Sequence, residues 1–137
     1  VKNAIGEYIC FIGDDDGIMP YIIDAVKWMK KEGIDILKCY VPGYFWPKMR
    51  STSTSSDVSG ILRYSDFGYK ITKFSSQSSL KEVLKKGGTD LGKLPCLYHG
   101  IVKRTVLDSI YRASGSYFPG PSPDMANAVA LSLFEDD

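Results

Sequence analysis

Three adjacent aspartates, Asp14, Asp15 and Asp16, stand between Gly13 and Gly17, directly after the apolar run Tyr8-Ile9-Cys10-Phe11-Ile12. Like charges this close repel one another and destabilise the ionised forms unless something positive sits among them. A divalent cation such as Mg²⁺ or Mn²⁺ is the natural partner, because hard cations take oxygen ligands and phosphates can complete the shell. The flanking glycines would let a ligand come close to the backbone. Capping of the following helix accounts well for one or two of these acids and less well for three beside two glycines. A calcium loop is excluded by spacing: Ile18 occupies its third acidic position and Ala25 its closing Glu position.

Further along, four kinds of residue could join that chemistry. His99 beside Gly100 could hydrogen-bond an acceptor or a phosphate, although one His is more often a satisfied structural residue. Tyr44, Phe45 and Trp46 could stack on a sugar face, against the commoner role of aromatics as packing. Asp124, after Ser122-Pro123, is either a first-turn helix acid or a proton acceptor. Lys103 and Arg104 could meet phosphate, with a solvated helix start as the default. Cys10, Cys39 and Cys96 are odd in number and set in apolar runs, which suits buried thiols in a reducing compartment.

The elements that would position these groups follow from the pattern. Residues 7–12 predict a strand buried on both faces, as in a parallel sheet. Pro20 suits the first turn of a helix, Ile22, Ile23, Val26 and Met29 recur at helical spacing, and Gly33 ends it. Residues 35–41 predict a second strand, so 1–41 reads as one β-α-β unit of an α/β fold. The stretch 42–93 is an irregular excursion. It holds a Ser/Thr loop over 51–56, short strands over 61–64 and 69–74 in a hairpin, and a helix over 79–86. Over 94–137 the pattern predicts a strand at 96–102, a helix over 105–111, and a buried last helix with Ser122 as N-cap and Pro123 in its first position.

With 137 residues, 44% hydrophobic and 24% charged, the chain suits a single domain and is far from a disordered composition. A formal net charge of +1 argues against a general nucleic-acid binder. No run approaches the length of a membrane span, and no signal peptide is visible. Lysines 27, 30, 31, 81, 85 and 86 fall on polar helix faces that an anionic membrane surface could attract, though an ordinary solvated face explains them. The start without Met and the close directly after a helical pattern predict part of a larger protein, and an unprotected sheet edge could pair with a second copy.

Taken together, Gly6-Glu7-Tyr8-Ile9-Cys10-Phe11-Ile12-Gly13-Asp14-Asp15-Asp16-Gly17-Ile18-Met19-Pro20 resembles the strand and DXD motif of family 2 glycosyltransferases, the bacterial surface-polysaccharide kind with a GT-A fold. Leu97 to Arg104 is similar to the strand and Gly turn bordering their acceptor site. Gly115-Ser116-Tyr117-Phe118 ahead of Ser122-Pro123-Asp124 stands where they carry the acidic catalytic base, although Pro123 replaces their usual Glu. The resemblance implies a partial GT-A (Rossmann-like) mixed sheet flanked by helices, without the N-terminal nucleotide-binding half. It implies an inverting, metal-dependent transfer of sugar from a nucleotide-sugar to a glycan or lipid-linked acceptor, with little activity in this chain alone. In those terms Asp14, Asp15 and Asp16 bind the donor, and Asp14 and Asp16 hold Mn²⁺ or Mg²⁺. His99, Gly100 and Trp46 border the acceptor, Asp124 is the base, and the location is cytoplasmic at the inner membrane face. Two other assignments remain. The Asp-x-Asp-Gly turn also resembles haloacid-dehalogenase-type phosphohydrolases, though their late Gly-Asp-x-x-x-Asp motif is missing, and a non-catalytic remnant domain is the third.

Overall fold

The computed structural model describes residues 1–47, 59–64 and 70–134. The chain is mixed α/β, in the order β1 (Tyr8–Cys10), α1 (Ile22–Glu32), β2 (Ile36–Lys38), β3 (Gly43–Tyr44), β4 (Leu62–Arg63), α2 (Ser76–Lys85), β5 (Gly100–Lys103), α3 (Arg104–Ser114) and α4 (Pro123–Phe134). It groups into two compact units, one of Val1–Cys39 with Phe74–Asp137 and one of Tyr40–Lys73.

In the first unit, β5 is the central strand of the sheet β1-β5-β2 and runs antiparallel to both neighbours. Val102 faces Ile9 on one side and Ile36 on the other. The β-α-β expectation is therefore corrected: β1 pairs antiparallel instead of lying in a parallel sheet, and of its residues Ile9 alone is buried, so it is not covered on both faces. β1 and β2 run in the same direction, but they do not pair, because β5 enters between them. The reason lies in burial: Ile101 and Val102 leave almost nothing exposed, whereas Tyr8 and Cys10 stay half-open. The middle strand is the most buried of the three, with Gly100, Ile101 and Val102 all covered.

One sheet face packs on α3 and α4. Ile9 and Val102 join Val106, Leu107, Ile110, Ala130 and Leu131 in one cluster. Each fully buried aliphatic side chain there contributes about 1.5–3 kcal/mol. On β1, the Tyr8 hydroxyl donates to the Ile34 carbonyl after α1, and Lys30 meets Glu7 at 2.6 Å. Gly33 closes α1 with φ +67°, as its position predicts. Pro20, expected in the first turn, lies ahead of the helix, which opens at Ile22. α2 starts earlier than predicted, because Ser75 accepts from the Ser78 amide as its N-cap. α2 packs against α4 through Leu80, Val83, Leu94 and Ala128. Pro123 opens α4 as expected, and its middle is buried while Leu133 and Phe134 emerge.

The second unit holds a two-stranded antiparallel ribbon in which Tyr44 faces Leu62 and Gly43 faces Arg63. The partner of β4 is thus β3 rather than a strand over 69–74. Residues 70–74 are not in a strand, and residue 69 lies outside the described residues. The predicted Ser/Thr loop over 51–56 also lies outside them. Among the described residues, no helix is long and apolar enough to cross a membrane.

Candidate functional site

Two tight turns meet where β1 ends and β5 begins. The first is Gly13 to Asp16, closed by the Asp16 amide donating to the Gly13 carbonyl at 3.4 Å. Asp14 and Asp15 form its exposed corner, and Asp16 folds back as its half-buried end. The second is Leu97 to Gly100, closed by the Gly100 amide on the Leu97 carbonyl at 3.2 Å. Backbone bonds stitch them together: the Phe11 amide donates to Leu97 and the His99 amide donates to Phe11, at 3.3 and 2.9 Å.

Asp16 is the point of contact. Its Oδ2 accepts from the Gly13 amide at 2.6 Å, from the Tyr98 hydroxyl at 3.1 Å and from His99 Nε2 at 2.7 Å. The Gly13 amide, a fixed donor, favours the ionised carboxylate, and an ionised carboxylate only accepts, so His99 then donates from Nε2. These donors, the Gly13 amide first and then His99, hold the Asp16 carboxyl below its usual range, with Tyr98 adding to them against desolvation. The same bond to Asp16 pushes the Tyr98 phenol up. Sequence reasoning singled out His99 and missed Tyr98, which could have been suspected only from its place beside His99 in the same turn.

The backbone at this spot is demanding. His99 has φ +59°, the sole non-glycine with positive φ among the described residues. At Gly100 a Cβ would overlap the Cys96 carbonyl oxygen, so position 100 requires glycine. At Gly13 a Cβ would come within 2.6 Å of the Tyr98 hydroxyl and 3.0 Å of the Asp15 and Asp16 carboxylates. Gly100 thus acts by letting the turn close, a role independent of ligand contact.

Asp124 stands exposed in the first turn of α4, and its charge reaches this cluster, adding to the upward push on the Tyr98 phenol and the Cys96 thiol. The connection is made by Asn127, one helical turn further on and almost completely buried. Its Oδ1 accepts from the Leu97 amide at 3.3 Å, and its Nδ2 donates to the Tyr117 carbonyl at 2.9 Å. Asn127 therefore fixes α4 against the second turn. An Asn set between Ala126 and Ala128 in a mainly apolar helix is its sequence signal, because a buried amide needs partners.

Other expected participants fall elsewhere. Lys103 pairs with Asp35 at 2.8 Å. Trp46 belongs to the second unit, where it meets Tyr44 edge-on at 5.0 Å. The three cysteines are free and half-buried. Burial, with Cys10 and Cys96 nearby, pushes the Cys39 thiol up to about 11, which suits an inert thiol. Beside the site, Phe11 packs between Tyr98 and Phe118 at 6.1 and 5.5 Å. Along α4 runs an open groove of about 490 Å³ lined by Pro119, Pro121, Met125, Val129, Leu133 and Phe134, among others.

Among the described residues, no group of three His, Cys, Asp or Glu side chains is assembled as a metal cage. The donor set still fits a hard cation. Mg²⁺-type ions are commonly held by one or two carboxylates together with substrate phosphates. Asp16 Oδ1 takes no hydrogen bond among the described residues, and Asp14 and Asp15 are open carboxylates in the same turn. No family model, curated protein or solved structure matches the chain.

Proposed function

We propose that this chain supplies the cation- and acceptor-handling part of an inverting glycosyltransferase that uses a nucleotide-sugar donor. The observation that carries it is the 2.7 Å contact between Asp16 and His99. It joins two of the three segments whose sequence resembles such transferases, and the bond from the Leu97 amide to Asn127 ties α4, which bears Asp124, to the second of them.

On this assignment, Asp14 and the free oxygen of Asp16 hold the divalent ion, and Asp15 offers its carboxylate to the donor. When bound, the ion offsets the charge that builds on the departing diphosphate. Asp124, open to solvent, takes the proton of the acceptor hydroxyl as it attacks the anomeric carbon in line, with inversion. His99 and Gly100 border the acceptor. The apolar groove along α4 suits a lipid-linked acceptor. The chain then works in the cytoplasm at the inner face of the membrane. The state of Asp16 weighs against the phosphohydrolase alternative. A haloacid-dehalogenase-type mechanism needs that second aspartate to carry a proton, and three donors favour its ionised form.

Calorimetry with Mn²⁺ and a panel of nucleoside diphosphates and nucleotide-sugars tests the assignment. Binding is expected only with metal present, and Asp14→Asn or Asp16→Asn should weaken it by about tenfold or more. Asp24→Asn on α1 should leave it unchanged. Metal-independent nucleotide binding, or none, contradicts the proposal. Turnover of a generic phosphoester that is lost in Asp14→Asn favours the phosphohydrolase.

A further inference from the structure

The fold does not need a histidine at position 99. Its backbone sits at φ +59°, where glycine is unstrained and asparagine, like histidine itself, is tolerated better than most side chains. What the imidazole adds is a grip on one atom. Nε2 donates to Asp16 Oδ2 at 2.7 Å, while the ring packs edge-on against Tyr98 at 4.1 Å between centroids. Tyr98 donates to the same oxygen at 3.1 Å and the Gly13 amide at 2.6 Å. Three donors from two turns thus converge on Oδ2, and Oδ1 takes none among the described residues. A carboxylate held by one oxygen from three directions has no freedom left to rotate. Strained residues persist where the surroundings over-determine them, and such places cluster at functional sites.

We infer that His99 is a positioning residue. Its imidazole fixes the rotation of the Asp16 carboxylate, keeping Oδ2 toward the protein and Oδ1 toward the ligand. The ligand, a cation with a diphosphate, rests on the function proposed above, whereas the positioning itself does not. Groups that orient a ligating carboxylate are typically worth about tenfold to a hundredfold in metal affinity.

The test uses His99→Gly and His99→Asn in the full chain. Glycine removes the ring and relieves the backbone, so melting temperature should hold or rise. The Gly13 amide, bonded to Asp16 Oδ2, should shift in the proton–nitrogen spectrum and exchange faster with solvent as the carboxylate loosens. Affinity for Mn²⁺ with a nucleoside diphosphate should fall about tenfold. Asparagine accepts the same φ and offers an N–H, so it should recover part of the Gly13 signal and part of the affinity. An unmoved Gly13 amide in His99→Gly overturns the inference, whatever the binding result. If His99→Gly fails to fold, the Gly13 amide of His99→Asn decides: close to its native position it supports the inference, and no nearer than in Asp16→Ala it overturns it. A wild-type chain that ignores Mn²⁺ and diphosphate while Gly13 still responds to His99→Gly sinks the proposed function and leaves the positioning intact.

Discussion

Asp16 gathers more hydrogen bonds on one oxygen than any neighbouring carboxylate, and its ionisation should be visible in stability. Its folded carboxyl lies below the ordinary value of about 3.9. A lowered folded value means stability that is fully present above the unfolded value and is lost as pH falls through the folded one. Asp16→Asn keeps the shape but removes the charge. The stability gap between wild type and Asp16→Asn, from denaturant melts, should stay steady from neutral pH down to about 5 and shrink below about 4. A gap that is the same at every pH would show that the charge on Asp16 contributes nothing. At this scale the sequence reveals the aspartates because they are adjacent and flanked by glycines. It does not reveal their division of labour. Tyr98 and His99 lie 82 and 83 residues away, and only folding shows that they select Asp16 and leave Asp14 and Asp15 open.

Among the elements, α4 and β5 decide where the site forms. Asn127 satisfies a Leu97 amide and a Tyr117 carbonyl from inside an apolar helix. Asn127→Ala leaves both groups without that partner and should destabilise the fold by about 1–3 kcal/mol. Thermal melting should record this as a drop of several degrees. An unchanged melting temperature would mean that water replaces the amide without loss. Helices are the more legible elements here. Gly33 ends α1 in a left-handed conformation as expected, whereas α3 runs past the expected end at Tyr111 to Ser114 before Gly115 closes it. Strands are less so. The 96–102 run reads as one strand, yet residues 97–100 form a turn, and β5 proper is Gly100–Lys103. Strand order was beyond reach, because the apolar pattern of Ile101 and Val102 shows that they are buried but not between which neighbours.

For the molecule as a whole, a mixed α/β chain in two compact units brings sequence-distant polar groups together at Asp16. That cluster unites the Asp triplet with the Leu97–Gly100 turn and the start of α4. On the proposed function, a cation and a diphosphate are the ligands to test first. The most direct measurement is paramagnetic broadening of the proton–nitrogen spectrum by sub-stoichiometric Mn²⁺ in the presence of a nucleoside diphosphate. Broadening should centre on the amides of residues 13–17, extend to Tyr98 and His99, and reach the first turn of α4 at Asp124. Broadening centred on other exposed acids such as Asp24 or Asp90, or spread evenly over the chain, would contradict a cation site at this turn.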